Sequence, residues 1–354
     1  MVNINTRKLT ANQIDSIHRI LIIQQKPFGD ILLNTGYLPE LRRHFPKARI
    51  DYLIQRPYIC VLEDNPHLDN LIIMEKPPGR GPRYYLAQLK AAISVRNLAY
   101  DLIIDQLRGT SSARIIMLSK APYRLGWIKK RWNFLYNIQV PLAAIRYKSF
   151  YKFDLLAPLG IETKDHGLEY KIKKSSIKTI ERWLGAVGLE PGKFIVLSPG
   201  TPIKGKQWYL DGYVQVGNRI VNKTDFSVVL LWGLHEKKDS QYIKARMDAR
   251  SFLAPPTSFN EAGALLRSAK VLITNDGGIN HLAVSQETPA ISIFGPLSNP
   301  LKWCAWHRKE YLYLKDWDFK DRSDNTFNIT PDQVFNKFLE LLCVLKSEVI
   351  GILK

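Results

Sequence analysis

The stretch Val271-Leu-Ile-Thr-Asn-Asp276-Gly-Gly-Ile-Asn-His281-Leu-Ala-Val284 contains the pattern that decides the fold. Its first four residues form an apolar, β-branched run, which is typical of a buried strand in a parallel sheet. Apolar residues at helical spacing follow the Asp-Gly-Gly turn, and a second buried strand, 290–294, comes after Thr288-Pro289. A helix that begins here offers unpaired N–H groups, and Gly277 and Gly278 have no side chains to keep an anion away. The turn is therefore interpreted either as a diphosphate cradle or as an ordinary tight turn.

The same alternation of strands and helices continues through most of the chain. Strands are predicted at 19–25, 49–54, 71–74, 101–105, 194–198 and 227–232, and single helices at 31–44 and from Pro331 to about Leu345. Residues 1–18 are predicted to be weakly structured, and residues 128–150, which are basic and aromatic, to be loop. Short connections between strands and helices indicate an α/β fold with a doubly wound parallel sheet. A second series that starts near Tyr170 predicts a second such domain, facing the first across a ligand cleft.

Composition places the chain among globular proteins. Its 354 residues are 45% hydrophobic and 23% charged, which is typical of a soluble protein with room for two domains. No stretch approaches the roughly 20 apolar residues of a membrane span, and the first residues contain no apolar signal region. The three cysteines are far apart and lack metal-ligand spacing. We therefore expect a reduced, cytoplasmic protein without a zinc site.

Positive charge is concentrated in the first part of the chain. Residues 1–150 contain 23 Lys+Arg and 10 Asp+Glu, whereas residues 151–354 contain 28 and 22. An excess of this size indicates an anionic partner, such as nucleic acid, a membrane surface or an acidic substrate, or else a merely solubilising surface. The sequence contains no recognisable nucleic-acid-binding module, so we expect no nucleic-acid partner.

Two further motifs follow predicted strands. In Phe28-Gly29-Asp30, the glycine lets the turn approach a substrate closely, and Asp30 is either a structural helix cap or a general base in a cleft. In Ser198-Pro-Gly-Thr201 and the nearby Lys204-Gly-Lys206-Gln-Trp208, hydroxyl, N–H and ammonium donors could bind a phosphate. This loop lacks the order of a Walker A motif, so a solvated basic loop remains the alternative.

The remaining candidates give weaker signals. Glu236 follows the strand that ends in Trp232-Gly233, and this signal alone favours a helix start stabilised by the dipole over contact with a ribose or base edge. His281, on the first turn of its helix, is either a ligand or a packed core residue. The first strand is not followed by GxGxxG, which argues against nicotinamide-dependent hydride transfer, and no GxSxG elbow is present.

Taken together, these motifs resemble the heptosyltransferases of glycosyltransferase family nine, which build the inner core of lipopolysaccharide. The segments that carry the resemblance are RILIIQQKPFGDILLNTGYLPELRRHFPKARIDYL, YDLIIDQLRG, LSPGTPIKGKQW, LLWGLHEKKD and LITNDGGINHLAVSQETPAISIFGPLSNPLKW. The segment 155–160, Trp303 and Trp306-His307 are more similar to the branch that adds a third heptose, the heptosyltransferase III-like branch.

The resemblance implies a GT-B architecture of two Rossmann-like domains. It divides the chain into an acceptor-binding domain at 1–168, a nucleotide-sugar-binding domain at 169–330 and a last helix at 331–354 that returns to the first domain. It also implies ADP-L-glycero-β-D-manno-heptose as the donor, inversion at the anomeric carbon, and no metal or other cofactor.

Site residues are assigned through the same resemblance. Asp30 would be the general base, Lys206 and Thr201 would contact phosphate, and Glu236 the nucleoside. The resemblance assigns diphosphate and sugar binding to the turn made of Asp276, Gly277, Gly278 and His281. Gly277 replaces the serine or threonine that is usual in the family, and Pro202 replaces a second hydroxyl found in some members. Either departure changes the hydroxyl groups available to the donor and so bears on donor choice.

The basic first half then fits an anionic acceptor. The resemblance implies a lipid A core that bears Kdo or heptose, at the cytoplasmic face of the inner membrane of a Gram-negative bacterium. The candidate acceptor contacts are Gly29, Lys120, Arg124, Lys129, Lys130 and Arg131, and an anionic membrane surface is a further expected partner. Alternatives are a transferase for another nucleotide sugar and an inactive nucleotide-sugar-binding protein.

Overall fold

The computed structural model describes residues 8–75, 77–79, 81–129, 131–142 and 145–352, with side chains up to residue 347. The chain divides into two compact units, Met1–Tyr170 and Lys171–Lys354. The boundary predicted between residues 168 and 169 lies close to this division. Each unit contains one six-stranded, wholly parallel sheet.

The first unit begins with a short helix and then alternates strands with helices. Its elements are α1 Ala11–Asp15, β1 Arg19–Ile23, α2 Phe28–Asn34, α3 Leu38–His44, β2 Arg49–Gln55, β3 Asn70–Met74, α4 Pro82–Asn97, β4 Leu102–Asp105, α5 Thr110–Ser119, β5 Tyr123–Trp127, β6 Ile138–Val140 and α6 Lys148–Asp154. The strand order is β3-β2-β1-β4-β5-β6. The order reverses between β1 and β4, and doubly wound sheets bind ligands at such a switch point, outside the carboxyl ends of the strands.

The second unit repeats this arrangement. Its elements are α7 Lys174–Ala186, β7 Phe194–Ser198, α8 Leu210–Lys223, β8 Ser227–Leu230, α9 Lys237–Lys244, β9 Ser251–Leu253, α10 Phe259–Ser268, β10 Val271–Asn275, α11 Gly278–Ser285, β11 Ala290–Ile293, α12 Pro300–Trp303, β12 Tyr311–Leu314 and α13 Pro331–Ile352. The strand order β12-β11-β10-β7-β8-β9 has its switch point between β7 and β10. Two doubly wound α/β units are therefore confirmed.

The central strands are apolar because helices cover both faces of each sheet. Residues 20–23 of β1, 194–197 of β7 and 271–273 of β10 have no exposed surface. Strands buried on two sides read as continuous Ile, Leu and Val runs, without the alternation of a half-exposed strand. These apolar runs form β1, β7 and β10, the strands that border the points at which the strand order of each sheet reverses.

Several predicted boundaries were wrong. The single helix expected at 31–44 is broken by a 3-10 turn at Thr35–Tyr37. A Cβ on Gly36 would lie 2.4 Å from Ser149 Oγ, so α6 packs directly against this break. The predicted loop at 128–150 contains β6, whose Ile138 is fully buried, and α1 lies in the segment expected to be weakly structured.

The last helix packs on the second unit. Val334, Phe335, Phe338 and Leu341 of α13 join the core formed by β7, β10 and α8. Whether this helix also returns to the first unit stays a prediction. Among the described residues, no helix combines the length and the apolar character that crossing a membrane requires.

Candidate active site

Asp30 lies beside the switch point of the first sheet. It is the third residue of α2, and the residue before the helix is Pro27, so the interpretation of Asp30 as a helix cap is wrong. A carboxylate in the first turn is still favoured by the helix dipole. The side chain of Asp30 is 25% exposed, and its Oδ1 lies 3.3 Å from Lys152 Nζ. Gly29, partly exposed, occupies the same first turn.

Lys152 is a functional candidate that the sequence analysis missed. It comes from α6, only 5% of its side chain is exposed, and its ammonium also donates to Gln24 Oε1 at 3.0 Å. Burial lowers the pKa of the Lys152 ammonium, while the neighbouring Asp30 carboxylate opposes that shift. The ammonium is thus a buried counter-ion that fixes one oxygen of Asp30 and leaves its other oxygen available.

A second polar cluster lies at the end of β4. The Asp105 carboxylate is fully buried and accepts hydrogen bonds from Arg108 N–H at 3.0 Å and from Tyr136 OH at 2.5 Å. Burial raises the pKa of Asp105. The Arg108 guanidinium lies 3.8 Å from the centroid of the Tyr136 ring and donates to Asn133 Oδ1 at 2.6 Å. This cluster shapes the sheet edge on which Asp30 lies.

The structure separates the predicted acceptor contacts. Lys129 follows the carboxyl end of β5, and burial lowers its pKa; Arg131 is nearby in sequence, with its guanidinium 5.0 Å from the Trp132 ring centroid. Lys120 and Arg124 instead lie at the amino-terminal edge of β5, opposite the edge of Asp30. Arg124 Nε donates to the carbonyl of Leu135 at 2.7 Å. These two residues are therefore not brought to Asp30, and Lys130 lies outside the described residues.

The second unit brings Lys206 to the turn that follows β10. Lys206 Nζ lies 2.6 Å from Asp276 Oδ2, with 22% and 5% of the two side chains exposed. Asp276 directly follows β10, and the Lys206 loop follows β7, so the pair spans the switch point. Thr201 is buried on the same loop, and its hydroxyl oxygen accepts a weak hydrogen bond from Ile203 N–H at 3.4 Å.

Asn275 anchors this loop, and the sequence analysis did not identify it. Its Oδ1 accepts from Trp208 N–H at 3.0 Å, and its Nδ2 donates to the carbonyl of Pro199 at 2.7 Å. The Trp208 indole is fully buried and donates to the carbonyls of Thr326 and Ile329 at 3.0 and 3.2 Å. One buried amide and one buried indole therefore fix both ends of the segment that carries Lys206.

The Gly277–Gly278 turn leaves the N-terminus of α11 open. Gly277 precedes the helix in an extended conformation (φ −174°), and a Cβ built there would meet no atom within 4 Å. The first N–H groups of a helix have no partner within the helix, and they carry the positive end of its dipole. His281 is 3% exposed, with its ring centroid 6.2 Å from that of Trp303. His281 is thus packed within the protein, and its role as a ligand stays a prediction.

Glu236 lies between the ends of β7 and β8. Its Oε2 accepts from Gly233 N–H at 2.8 Å, and a Cβ on Gly200 would lie 2.0 Å from the same oxygen. Gly200 therefore has to be glycine while Glu236 holds this position. Burial raises the pKa of the Glu236 carboxyl, and the Gly233 hydrogen bond partly offsets the shift. The carboxylate lies next to the loop of Thr201, and its role as a nucleoside contact stays a prediction.

Within the described ranges, no group of three or more His, Cys, Asp or Glu side chains is arranged to hold a metal ion. Positive groups at the second switch point come from Lys206 and the α11 N-terminus. Such a site suits a substrate with a diphosphate leaving group. Two doubly wound α/β units, one of which carries such a site, are the arrangement of the GT-B class, to which many glycosyltransferases belong.

Comparison with known families narrows the class. The model for glycosyltransferase family 9 (heptosyltransferase) matches residues 88–326, more than half of the chain, and the chain belongs to this family. The matched range includes Lys206, Glu236 and Asp276, and Asp30 lies outside it.

The individual relatives have low sequence identity to this chain, but the similarity extends over nearly its full length. Lipopolysaccharide heptosyltransferase 3 of Escherichia coli is 23% identical over 320 residues, 86% of this chain and 93% of that protein. Lipopolysaccharide heptosyltransferase 2 of Salmonella typhimurium is 24% identical over 356 residues, 92% of this chain and 98% of that protein. Because these identities are nearly equal, the heptosyltransferase III-like branch stays a prediction.

Solved structures share the fold. A glycosyl transferase family 9 protein from Veillonella parvula superposes with a TM-score of 0.80 at 20% identity, covering 92% of this chain and 97% of that one. The E. coli heptosyltransferase WaaC, solved with ADP-2-deoxy-2-fluoro heptose, gives a TM-score of 0.70 at 16% identity, covering 91% and 99%.

Proposed function

We propose that the protein transfers a heptose from ADP-L-glycero-β-D-manno-heptose to the inner core of lipopolysaccharide, with inversion at the anomeric carbon. Family membership supports heptose transfer, and the names of the relatives support a lipopolysaccharide acceptor. The bound ligand of WaaC supports an ADP-linked donor. The observation in this chain that carries the proposal is the pairing of Lys206 with Asp276 beside the open Gly277–Gly278 turn.

The donor's leaving group would be stabilised by the second unit. As the glycosidic bond to the diphosphate breaks, negative charge accumulates on the phosphate oxygens. The Lys206 ammonium, the Thr201 hydroxyl and the N–H groups at the start of α11 are donors to that charge. Gly277 adds no hydroxyl, so backbone N–H groups contribute a larger share than in relatives with serine or threonine. Glu236 would contact the nucleoside, with Asp276, Gly278 and His281 at the diphosphate and sugar. The proposal requires no metal or other cofactor.

The acceptor would be activated by the first unit. Asp30 takes the proton from an acceptor hydroxyl as the oxygen attacks the anomeric carbon from the face opposite the diphosphate. Lys152 holds Asp30 Oδ1 at 3.3 Å, which leaves the second carboxylate oxygen to receive that proton. Lys152 is therefore a positioning residue in the proposal. Asp30 alone would touch the reacting atoms.

The proposed acceptor is an anionic lipid A core that carries Kdo or heptose. The basic first half of the chain supports it, with Gly29, Lys129 and Arg131 as contacts near the carboxyl ends of the strands. Lys120, Arg124 and Lys130 remain proposed contacts for the wider anionic surface. In this proposal the protein is cytoplasmic and associates peripherally with the inner membrane of a Gram-negative bacterium, without a nucleic-acid partner.

Two alternatives differ from this proposal in substrate or in chemistry. The first alternative is a different nucleotide sugar. Gly277 leaves open space beside the proposed diphosphate site, and a changed contact there can change which nucleotide sugar is selected. An inactive nucleotide-sugar-binding protein would retain the Lys206 site but would not need Asp30. A thermal-shift series with ADP, UDP, GDP and CMP separates the donors, and stabilisation by ADP alone supports the proposal.

The deciding experiment measures transfer itself. The protein is incubated with ADP-heptose and a panel of truncated core glycolipids, and product mass and anomeric configuration are determined. We expect one added heptose with inverted configuration, and an Asp30→Asn variant that binds ADP normally but loses transfer by about 10²-fold or more. Normal turnover by Asp30→Asn would remove Asp30 from the mechanism. Product formation from a different nucleotide sugar would overturn the donor assignment.

A further inference from the structure

Helices α4 and α5 of the first unit carry an unusual number of exposed apolar side chains. Helix α4 already buries Ala91, Ala92 and Val95 against the core. Its outward side would normally be polar. Instead, five large apolar side chains on the two helices are 47–59% exposed: Tyr85, Leu86, Leu89, Ile93 and Met117. At 3.6 residues per turn, the four on α4 fall within an arc of about 100°.

The charged side chains of the two helices themselves are all positive, and the nearest acidic neighbour of α4 that lines a shared pocket is Glu75, which pairs with Arg56. Segments 82–97 and 110–120 contain no Asp or Glu, and they contain five cations: Arg83, Lys90, Arg96, Arg114 and Lys120. In the part of the chain that the structure describes, none of the five pairs with a carboxylate. We call the five apolar and five basic side chains together the α4–α5 face.

Direct contacts join the two helices into one surface. The Arg114 guanidinium from α5 lies 4.9 Å from the centroid of the Tyr85 ring on α4, and it donates to Gln88 Oε1 at 2.7 Å. Met117 lies one turn after Arg114 on α5, so the apolar side chains of the two helices belong to one continuous face. A contiguous exposed apolar patch marks an interaction site more often than scattered single residues do.

We propose that the α4–α5 face binds an anionic lipid bilayer, with its apolar side chains at the boundary between headgroups and acyl chains and its cations among the lipid phosphates. The chemistry fits a surface helix that combines apolar and Lys/Arg side chains. Pairing with a second copy of the same face is disfavoured, because it would bring two sets of unpaired cations together. The occupant inferred from the charges is therefore the bilayer.

The position of the face suits an enzyme with a lipid-linked acceptor, and in this respect the inference rests on the proposed function. Helices α4 and α5 precede β4 and β5, so both begin at the carboxyl edge of the first sheet. Asp30 lies at this same edge, after β1. A bilayer against the face would therefore adjoin the edge at which the acceptor hydroxyl is proposed to be activated.

The test is partitioning of the full-length protein onto vesicles of phosphatidylcholine with or without about 30% phosphatidylglycerol. We expect binding only to the anionic vesicles. The double variant Leu86→Asp/Leu89→Asp should lower the partition coefficient by about tenfold or more, since it places two carboxylates where apolar contact is proposed. The control is Leu339→Asp, which makes the same change at an exposed leucine of α13 and should bind as the wild type does.

A charge variant tests the second part of the proposal. Arg83→Glu/Lys90→Glu should weaken binding most at low salt, because screening by about 0.5 M NaCl already removes much of the attraction between cations and lipid phosphates. Charge variants that bind anionic vesicles normally at low salt would refute the role of the cations.

Three further outcomes would overturn the proposal: no binding of the wild type to anionic vesicles, unchanged binding of the leucine double variant, or a wild-type dimer that the double variant converts to monomer. Heptose transfer to a water-soluble truncated acceptor separates this inference from the proposed function. The leucine variant should retain that activity in full. A protein that binds vesicles but transfers no heptose would refute the function and leave the binding surface standing.

Discussion

Replacing Lys206 with methionine should destabilise the second unit as well as weaken donor binding. The ammonium lies 2.6 Å from the Asp276 carboxylate, and only 5% of the Asp276 side chain is exposed. Removing one partner of a buried ion pair costs about 3–5 kcal/mol, because the other charge is left buried and uncompensated. Lys206 is 22% exposed, so we take the lower end of that range, about 3 kcal/mol.

The companion variants show whether this loss comes from the charge on Asp276. Asp276→Asn alone should cost less, about 1 kcal/mol, because the freed ammonium can reach solvent. In Lys206→Met/Asp276→Asn no unpaired charge remains, and the double variant should be more stable than Lys206→Met by about 1–2 kcal/mol. For a unit of this size, Lys206→Met should lower the melting temperature by about 6–12 °C.

Donor binding should follow a different pattern. ADP affinity, measured by calorimetry, should fall by about 10–100-fold in Lys206→Met and should stay low in the double variant, because the phosphate loses a charge-assisted contact in both. Stability recovers with the second substitution and ADP affinity does not. A stable Lys206→Met protein, or a double variant that regains ADP affinity, would refute the reasoning.

Three further predictions concern other residues. Lys152→Met should lower kcat for transfer by about 10-fold or more and leave ADP affinity unchanged, because the Asp30 carboxylate loses its ion-pair partner. Equal kcat values for the variant and the wild type would exclude the positioning role of Lys152. Burial raises the pKa of the Glu236 carboxyl. The folded protein should therefore lose stability as pH rises from about 4.5 through the raised pKa, and Glu236→Gln should lack this loss. Melting curves recorded across this pH range check the prediction, and identical pH profiles for the two proteins would contradict it. Gly277→Ser should leave the melting temperature unchanged, since a Cβ at this position meets no atom within 4 Å. ADP affinity should stay equal or rise, because the serine hydroxyl adds a possible donor to phosphate. A clearly lower melting temperature or a clearly lower ADP affinity would show that the open space is needed.

The strands that could be predicted from the sequence are most of the central strands and one edge strand, β3. Residues 194–198 of β7 were predicted with their observed bounds, because a strand covered on both faces leaves an unbroken apolar run. The strands β6, β9 and β12 were missed, and all three are edge strands of three or four residues. An edge strand has a neighbour on one side only, so its sequence is less constrained and its periodicity too short to detect.

The candidate site divides in a similar way. Asp30, Lys206 and Asp276 could be proposed because each follows a predicted strand, at the edge where doubly wound folds bind ligands. Lys152 and Asn275 could not be proposed as site residues from the sequence. Lys152 reaches Asp30 from a distant helix, and Asn275 reads in the sequence as the last residue of a buried strand. Their roles depend on tertiary contacts, which one sequence without pairing information does not specify.

The pairing of Lys206 with Asp276 also bears on how quickly a product could leave. The carboxylate already occupies one face of the ammonium, so a nucleoside diphosphate must share that cation with a fixed negative charge 2.6 Å away. In the proposed reaction, repulsion between the two anions would shorten the residence time of the nucleotide product, since its dissociation restores an undivided ion pair. The contact that joins the loops after β7 and β10 would thus also speed the release of the proposed nucleotide product.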